Sequence, residues 1–380
     1  MPLIEISADL DCHGPAPVEV ELAQCSEPLP DGPLELREEG GGLRLPAQLD
    51  GDRLVVLVSG LEAGESRRFR LAAAQEKGRV ELKEEGPHAL SIYLPDGLFT
   101  TYNFDPQHAR PFFHPVFGPE RRRVTRDFPM IDVAEEKQAK DQDHPHHRSF
   151  WTAYDEVNGV DNWSEAAGKH GWTRHQKFTR KSGGTAYGGF VASSVWTSHD
   201  GKPVLDERRA IRVYNVGPDR RLLDYEVHLI ASHGDVEYGD TKEGGILAFR
   251  VFHTIKGGEG GKMMNSERGV GEKQVWGKRA QWLDYSGPVQ GKVVGIAMMD
   301  HPGNLNHPCR WHARDYGLVG TNPFANAAFG ASEKTPYHQK KGETLRFRYR
   351  VLIHPGDATE ARVSDAYHEW VQKPAARLIG

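Results

Sequence analysis

The chain contains little of what stabilises small secreted or zinc-dependent folds. Cysteine occurs three times in 380 residues, at Cys12, Cys25 and Cys309. An odd number at such wide spacing predicts neither a disulfide framework nor a zinc finger. A chain of this length can bury a large core without either device. The few cysteines favour a reducing compartment, and we expect cysteine chemistry to play no part in the function.

Long apolar runs and an excess of positive charge are also missing. The longest uncharged apolar stretches, such as residues 293–299, are far shorter than the ~20 residues that span a bilayer. The net charge of −5 argues against a nucleic-acid or membrane partner. No basic segment followed by an apolar one opens the chain. We expect a soluble protein, cytoplasmic as the sequence stands and periplasmic or secreted if a signal peptide has been removed; its oligomeric state is left open.

Several familiar catalytic motifs are absent from the sequence as well. It contains no G-x-S-x-G elbow, no Walker A motif and no strand-linked G-x-G-x-x-G. Neither a serine-hydrolase triad nor a nucleotide site is therefore predicted.

Short β-strands dominate what is present. Alternating or β-branched runs recur along most of the chain, separated by turns rich in Gly, Pro, Asp and Asn. Because few helices lie between these runs, the sheets are predicted to be antiparallel. We predict a mainly β protein with a small N-terminal β-sandwich over residues 1–76. Residues 77–380 are predicted to form a large antiparallel β-sandwich that carries the catalytic site.

One helix is predicted near the C-terminus. Asp357 stands three residues before Glu360, which is the spacing of a capping box. Val363, Tyr367 and Trp370 then recur on one helical face, and a proline ends the pattern. This face is predicted to pack on a sheet.

Polar residues that a sheet does not require cluster first at residues 141–151, "DQDHPHHRSFW". The His-Pro pair predicts an extended conformation for His144. Alternation along an extended chain places His144 and His146 on one side and His147 on the other. Three interpretations stay open: an acid/base or substrate-binding site, a hydrogen-bonded turn, and a metal site that uses two histidines with Asp143. The spacing matches no recognised metal motif.

Two further segments pair a carboxylate with a second functional group. Asp161 and Trp163 share a face of an extended chain. A carboxylate beside an indole is typical of sugar-binding clefts, although a turn with a core tryptophan is an equal alternative. Lys242 and Glu243 lie between two predicted strands, where they either cap a surface hairpin or enter a cleft and tune each other's pKa.

The densest polar cluster covers residues 299–325. In its "WHARDY" segment, His312 and Arg314 share one face and Asp315 lies on the other. An arginine–histidine pair in a cleft can bind a carboxylate or a polarised carbonyl oxygen, with the histidine as acid or base. A loop so rich in polar and aromatic groups favours function over a plain connection.

Taken in order, these segments resemble a known family. From about residue 109 to residue 357 the chain is similar to the DUF6807 family, often labelled the PmoA family, in "RPFFHPV", "VTRDFP", "DHPHHR", "VNGVDNW", "GDTKEGG", "GKRAQWLDYSG", "DHPGNLNHPCRWHARDYGLVGTNPF" and "FRYRVLIHPGD". Ser149 and Asn162 depart from the glycine and the phenylalanine that are usual in the family. Both changes bear on the shape of a pocket, and neither removes a titrating group.

The resemblance implies a context more than an activity. The label refers to a methane oxygenase, but a membrane-bound monooxygenase subunit needs several apolar helices, which this sequence lacks. Membership implies a bacterial protein from polysaccharide-degrading lineages, with relatives that occur beside oxidoreductases of the glucose–fructose oxidoreductase type. The large predicted sandwich resembles the galactose-mutarotase-like supersandwich, which is an analogy of fold.

We therefore predict a carbohydrate-active enzyme that cleaves or rearranges a glycoside or an oxidised (keto) sugar by histidine-based acid/base chemistry. The predicted catalytic residues are His144, His147, His312, Glu243 and Asp315. The predicted substrate-binding residues are Arg148, Trp163, Lys242, Trp311, Arg314 and Asn322.

Two alternatives to this prediction stay open. One is a metal-dependent enzyme in which His144 and His146 bind a divalent metal. The other is a non-catalytic glycan-binding protein in which Trp151, Trp163 and Trp311 stack on sugars. The segments "DHPHHR" and "WHARDYG" are predicted to form two walls of a single cleft.

Overall fold

The computed structural model describes residues 1–23, 25, 28–75, 78–136 and 141–379. Most of them lie in strands: β1 (Leu3–Ser7), β2 (Ala16–Glu21), β3 (Leu34–Glu38), β4 (Arg44–Asp50), β5 (Arg53–Val58), β6 (Ser66–Ala73), β7 (Glu81–Glu84), β8 (Ala89–Leu94), β9 (Gly97–Asn103), β10 (Phe112–Val116), β11 (Phe150–Tyr154), β12 (Trp172–Ser182), β13 (Tyr187–Thr197), β14 (Pro203–Tyr214), β15 (Arg221–Ile230), β16 (Val236–Tyr238), β17 (Gly244–Arg250), β18 (Lys262–Asn265), β19 (Trp282–Val289), β20 (Lys292–Asp300), β21 (Arg310–Ala313), β22 (Leu318–Asn322), β23 (Tyr337–Gln339), β24 (Thr344–Pro355) and β25 (Ala375–Leu378). The α-helices are α1 (Glu272–Val275) and α2 (Val363–Val371), and short 3-10 turns occur at Pro119–Arg121, Ala134–Glu136, His253–Ile255, Gly257–Glu259 and Ala327–Phe329. Among the described residues, no helix combines the length and the apolar character needed to cross a membrane.

Seven strands form the N-terminal sheet, in the order β2-β5-β4-β3-β6-β1-β25. Their alternate residues fill a core of their own, which includes Ile4, Val18, Leu36 and Phe69. The two edge strands, β2 and β25, contact each other, so the sheet curves around this core. Strand β25 therefore completes the sheet to which β1 belongs. The predicted division after residue 76 lies outside the described residues, which omit 76 and 77.

Two eight-stranded sheets pack face to face over the main core. We call them the front sheet, with the order β21-β22-β17-β11-β10-β9-β8-β7, and the back sheet, with the order β12-β13-β14-β15-β24-β20-β19-β18. Neighbouring strands in both sheets run antiparallel. The predicted mainly β fold with a large antiparallel sandwich is confirmed.

Residue alternation gives the front sheet a core face and an outer face. On β11, Phe150 and Tyr154 point into the main core, whereas Trp151 belongs to a separate cluster on the outer face. On β21, Trp311 joins the main core. The next residue, His312, therefore points outward. The outer face of the front sheet is where polar side chains can gather into a site.

The C-terminal helix is shorter than its sequence predicts. Asp357 and Glu360 do make capping-box hydrogen bonds: the Asp357 N–H donates to Glu360 Oε2 at 3.0 Å, and the Glu360 N–H donates to Asp357 Oδ1 at 3.1 Å. However, α2 begins only at Val363, because Arg362 adopts a left-handed φ of 55°. The bonds therefore close a separate turn. Val363 and Tyr367 pack in an apolar cluster with residues of β5 and the back sheet, as the predicted apolar face requires.

A buried pair links the middle strands of the back sheet. His354 Nε2 lies 2.9 Å from Asp284 Oδ1, and the two side chains are 2% and 0% exposed. Strand β20 runs between their strands, and Gly295 is the residue that the pair passes over. A Cβ at Gly295 would lie 2.7 Å from His354 Nε2 and 3.0 Å from Asp284 Oδ1. The pair forms only because this residue has no side chain.

We expect Gly295→Ala to lower the free energy of unfolding by about 2–4 kcal/mol, because overpacking costs roughly 1–3 kcal/mol and disturbing a buried pair adds to it. Urea denaturation of the full chain measures the loss. Gly258→Ala is the matched control, since nothing lies within 4 Å of its added Cβ. Equal losses in the two variants would contradict the role assigned to Gly295.

Candidate active site

A cavity of about 450 Å³ lies on the outer face of the front sheet. Histidines, carboxylates, cations, aromatic rings and a serine line it: His144, His146, Asp155, Asp161, Trp163, Ser164, Lys242, Glu243, His312, Arg314 and Tyr316. The structure thus brings together the two segments that were predicted to form one cleft. A larger cavity of about 580 Å³ beside β7 is lined by aliphatic, Arg, Lys and Glu side chains and includes no histidine.

Asp155 is the candidate that sequence reasoning missed. It follows Trp151 and Ala153 at a spacing of two, so alternation along β11 brings its side chain to the outer face. Its backbone N–H donates to the Glu243 carbonyl at 2.9 Å, which joins two segments of the cavity wall. Burial, reinforced by the neighbouring Asp161 carboxylate, raises the pKa of Asp155 to about 6. Asp155 therefore exchanges its proton near neutral pH.

Asp161 has the opposite protonation behaviour in the same cavity. Burial alone would raise its pKa, but hydrogen bonds from Ser164 and Trp163 outweigh burial and lower the pKa of Asp161. The backbone N–H groups of Trp163 and Ser164 donate to Asp161 Oδ1 at 2.8 and 2.9 Å. Asp161 is therefore a permanent anion beside a carboxyl group that titrates.

Two of the histidines that line the cavity are neutral at pH 7. Burial, followed by the nearby Arg110, lowers the pKa of His146 to about 4. Burial, followed by the Lys242 ammonium, lowers the pKa of His312 to about 3. A histidine with so low a pKa can donate or accept a hydrogen bond, but it is a weak base at neutral pH. The predicted role of His312 as a proton carrier stays a prediction, and Asp155 is better matched to that role.

His144 is the most accessible of the clustered histidines, with 41% of its side chain exposed. Its Nδ1 lies 2.7 Å from Asp143 Oδ2, and its ring packs nearly parallel to the rings of Tyr316 at 4.9 Å and His147 at 4.8 Å, which are themselves 6.3 Å apart. The residue has a left-handed φ of 45°, so the predicted extended conformation is wrong. The Asp143 carboxylate and these two neighbouring rings hold His144 in this conformation.

Two buried arginines hold Asp143 in turn. Arg126 Nη1 and Arg250 Nη2 donate to the same oxygen, Asp143 Oδ1, at 2.8 and 2.6 Å. Burial would raise the pKa of Asp143, but the hydrogen bond from His144 and the two guanidinium groups hold it well below its usual range. We call Arg126, Arg250 and Asp143 the Asp143 trio; one carboxylate faces two cations in it.

Trp311 and Asn322 do not reach the cavity, so their predicted contact with substrate is wrong. Trp311 is fully buried in the main core, where its Nε1–H donates to the Ala280 carbonyl at 2.9 Å. Asn322 is 1% exposed. Its Nδ2 donates to the Thr241 carbonyl at 2.9 Å, and its Oδ1 accepts from the Ala325 N–H at 3.0 Å. Asn322 therefore anchors the segment that carries Lys242 and does not meet a ligand.

Arg148 and Asp315 are engaged outside the cavity as well. Arg148 donates through Nε and Nη2 to Glu165 at 3.1 and 3.0 Å. The exposed Asp315 follows the end of β21 and accepts from the Glu272 backbone N–H at 3.3 Å. Alternation predicts that its side chain faces away from His312. Asp315 is not among the residues that line the cavity, and its predicted catalytic role stays a prediction.

The predicted aromatic platform is missing from the surface. Trp151 is fully buried on the outer face of the front sheet, and Trp163 lines the cavity with only 1% of its surface exposed. His147 is likewise 1% exposed, behind the ring of His144. These rings form the floor of the cavity, and a sugar cannot lie flat on them from solvent.

The metal interpretation draws no support from this arrangement. The rings of His144 and His146 are 5.7 Å apart, and His144 Nδ1 is already bonded to Asp143. In the part of the chain that the structure describes, no three His, Cys, Asp or Glu side chains are grouped as a metal site requires. A divalent metal at His144 and His146 stays a prediction.

We expect Asp143→Asn to lower the free energy of unfolding at pH 7 by about 3–5 kcal/mol, because two buried guanidinium groups lose their counter-charge. The pKa of Asp143 is depressed in the folded state, so its stabilisation is complete above the unfolded-state pKa of ~4 and is lost as the pH falls towards the folded-state value. The difference in the free energy of unfolding between wild type and Asp143→Asn should therefore become smaller below about pH 4. Urea denaturation across this range tests it. The exposed Asp235→Asn is the control; a gap that does not change with pH would contradict the assignment.

Comparison with known proteins places the chain in a family. Among solved structures, a GalM/aldose epimerase homologue from C. elegans is similar, with a TM-score of 0.33 and 7% identity over 74% of this chain and 99% of that one. No curated protein matches the sequence. Residues 89–368 match the family described as "Family of unknown function (DUF6807)", a range that includes the front sheet from β8 onward and the whole cavity lining. The predicted membership is confirmed: the chain belongs to the DUF6807 family.

Proposed function

We propose that the protein is an enzyme that acts on a carbohydrate in this cavity by acid/base chemistry, with Asp155 as the group that transfers the proton. The observation that carries the proposal is the pair of carboxyl groups with opposite pKa shifts, Asp155 raised to about 6 and Asp161 lowered. Neighbouring groups whose environments drive their pKa values apart are typical of acid/base catalysis.

The chemistry of the lining suits a ligand with many hydroxyl groups. A volume of about 450 Å³ lies within the range of roughly 300–1,000 Å³ typical of small-molecule sites. The neutral rings of His146 and His312 can each donate and accept a hydrogen bond. Lys242 Nζ lies 3.3 Å from Glu243 Oε1, so this exposed pair adds one donor and one acceptor at the wall.

Two reaction types fit these residues. In glycoside cleavage, a protonated Asp155 would donate to the departing oxygen while the ionised Asp161 stabilises positive charge on the sugar. Water would then add to the anomeric carbon and return a proton to Asp155. In rearrangement next to the carbonyl of a keto sugar, Asp155 would move the proton, and Lys242 or Arg314 would stabilise the oxygen that gains negative charge. The histidine-based scheme predicted from the sequence becomes one in which His146 and His312 bind and orient the substrate.

We expect Asp155→Asn to lower kcat by roughly 10²–10⁴-fold, the usual contribution of a general acid or base, with a small effect on substrate binding. In glycoside cleavage Asp155 acts in its acid form, so the wild-type kcat/KM should fall as the pH rises through about 6. The measurement is turnover of a panel of glycosides and their keto forms across pH. Asp235→Asn, on the exposed turn between β15 and β16, is the control and should keep wild-type turnover.

Other outcomes of the same assay separate the alternatives. Wild-type turnover in Asp155→Asn would sink the assignment of the proton-transfer group. Turnover that chelation abolishes and one added metal restores would favour the metal-dependent enzyme. Sugar binding without turnover of any substrate in the panel would favour the glycan-binding protein.

A further inference from the structure

The floor of the cavity contains ring N–H groups that have no acceptor. The rings of His147, Trp151 and Trp163 lie 5.4–5.5 Å from one another, and each residue is at most 1% exposed. Across the described residues, neither of the two indole Nε1 atoms nor His147 Nε2 has a hydrogen-bond partner. Buried polar groups are nearly always paired, so three unpaired nitrogens in one cluster need an explanation.

Arg250 decides which nitrogen of His147 carries the proton. Arg250 Nη1 lies 3.2 Å from His147 Nδ1. A guanidinium group only donates, so Nδ1 must offer its lone pair. Burial and the nearby cationic groups lower the pKa of His147 well below its usual range, which leaves the ring neutral. The single proton of His147 is therefore on Nε2, and all three unpaired nitrogens are donors.

These donors lie directly beneath the cavity lining. Trp163 itself lines the cavity. The His147 ring is 4.4 Å from His146 and 4.8 Å from His144, both of which line the cavity. The Trp163 ring is 6.2 Å from His312 on the neighbouring wall. Of the three donors, Trp163 therefore meets a ligand in the cavity first, and His147 and Trp151 lie behind it.

Two clusters of buried cations lie behind this floor. In the Asp143 trio two guanidinium groups share one carboxylate, and Arg126 also donates to the His144 carbonyl at 2.9 Å. In a second set, which we call the Glu165 trio, Arg110 and Arg148 share Glu165 at 2.8 and 3.0 Å. A further carboxylate acts on each set, Glu136 on Arg126 and Asp161 on Arg110. The three most buried of these arginines are at most 2% exposed, so water screens them poorly.

The carboxylates of the cavity lie at other positions than the donor cluster. Asp161 stays charged while it accepts from two backbone N–H groups, and Glu243 is paired with Lys242. They lie in the lining and can accept hydroxyl protons from a ligand, whereas the floor has only donors to offer. The lining thus suits the hydroxyl groups of a ligand, whereas the floor suits a group that only accepts hydrogen bonds.

We propose that the ligand is a sugar acid, such as a uronic or aldonic acid, whose carboxylate binds at the donor cluster of His147, Trp151 and Trp163. A carboxylate brings only acceptors and a negative charge, which match the three donors and the guanidinium groups behind them. The hydroxymethyl group of a neutral sugar would add one more donor to a place that already has three. The proposal rests on the proposed function and specifies its substrate class.

The test compares each acid with a neutral molecule of the same shape. Calorimetry on the full-length wild type measures the affinities of glucuronate, galacturonate and mannuronate, each against its amide and against the parent neutral sugar. We expect at least one acid to bind about tenfold more tightly than its amide, because charge-assisted hydrogen bonds are about twice as strong as neutral ones. This comparison needs no variant, so it does not depend on how a buried substitution folds.

A pair of matched variants locates the acid-binding group. Trp163→Phe keeps a ring in the floor and removes one N–H donor, and it should abolish most of the preference for the acid over its amide. Trp172→Phe makes the same change at a partly buried tryptophan outside the cavity, whose Nε1–H donates to the His199 carbonyl at 3.3 Å, and it should change nothing.

Equal affinity for acid and amide in the wild type would overturn the proposal, and so would an acid preference that survives Trp163→Phe in a folded variant. Binding of neutral sugars but of no acid would overturn it and leave the proposed function standing. If no sugar in either panel is bound or turned over, the proposed function fails along with it.

Discussion

The candidate site depends on one carboxylate. Asp143 accepts from two buried guanidinium groups through one oxygen and meets the His144 ring with the other. One of those guanidinium groups, Arg250, also sets the tautomer of His147. Residues 142–149 lie outside the described strands and helices, so charge rather than a backbone ladder determines their shape. An ion pair of this kind contributes little net stability, but it specifies one arrangement of the groups that it holds.

The front sheet supplies the second constraint, because its two faces perform different tasks. The core face packs against the back sheet, while the outer face carries Trp151 from β11 and His312 from β21. Rigid strands beneath the cavity hold these side chains more precisely than loops can. The residues that titrate or carry charge, among them Asp155 and Glu243, stand where those strands end. The ends of these strands thus carry the residues that titrate or carry charge, and the middles of the same strands support them.

Much of this could be predicted from the sequence, and the failures have physical causes. Alternation along β21 puts His312 on the face opposite to its two sequence neighbours, as the structure shows. The same rule, applied to the preceding residue, would have placed Trp311 in the core. The prediction for Asn322 failed because its amide donates to carbonyl groups about 80 positions away along the chain. No local sequence pattern reveals such a contact. Asp155 was missed because its sequence context is that of a turn. Its position at the cavity can be inferred only once Trp151 is known to lie on the outer face of the front sheet. The φ of His144 reflects the charges around it, which outweigh the local preference set by the following proline.

The pairing of β1 with β25 has a consequence for the exposed edges of the N-terminal sheet. Residues 375–378 cover one edge of β1, whose other edge pairs with β6. Without β25 the sheet would present the unpaired N–H and C=O groups of β1, and such an edge is a template for pairing with another chain. Strand β25 therefore protects the N-terminal sheet against association through this edge.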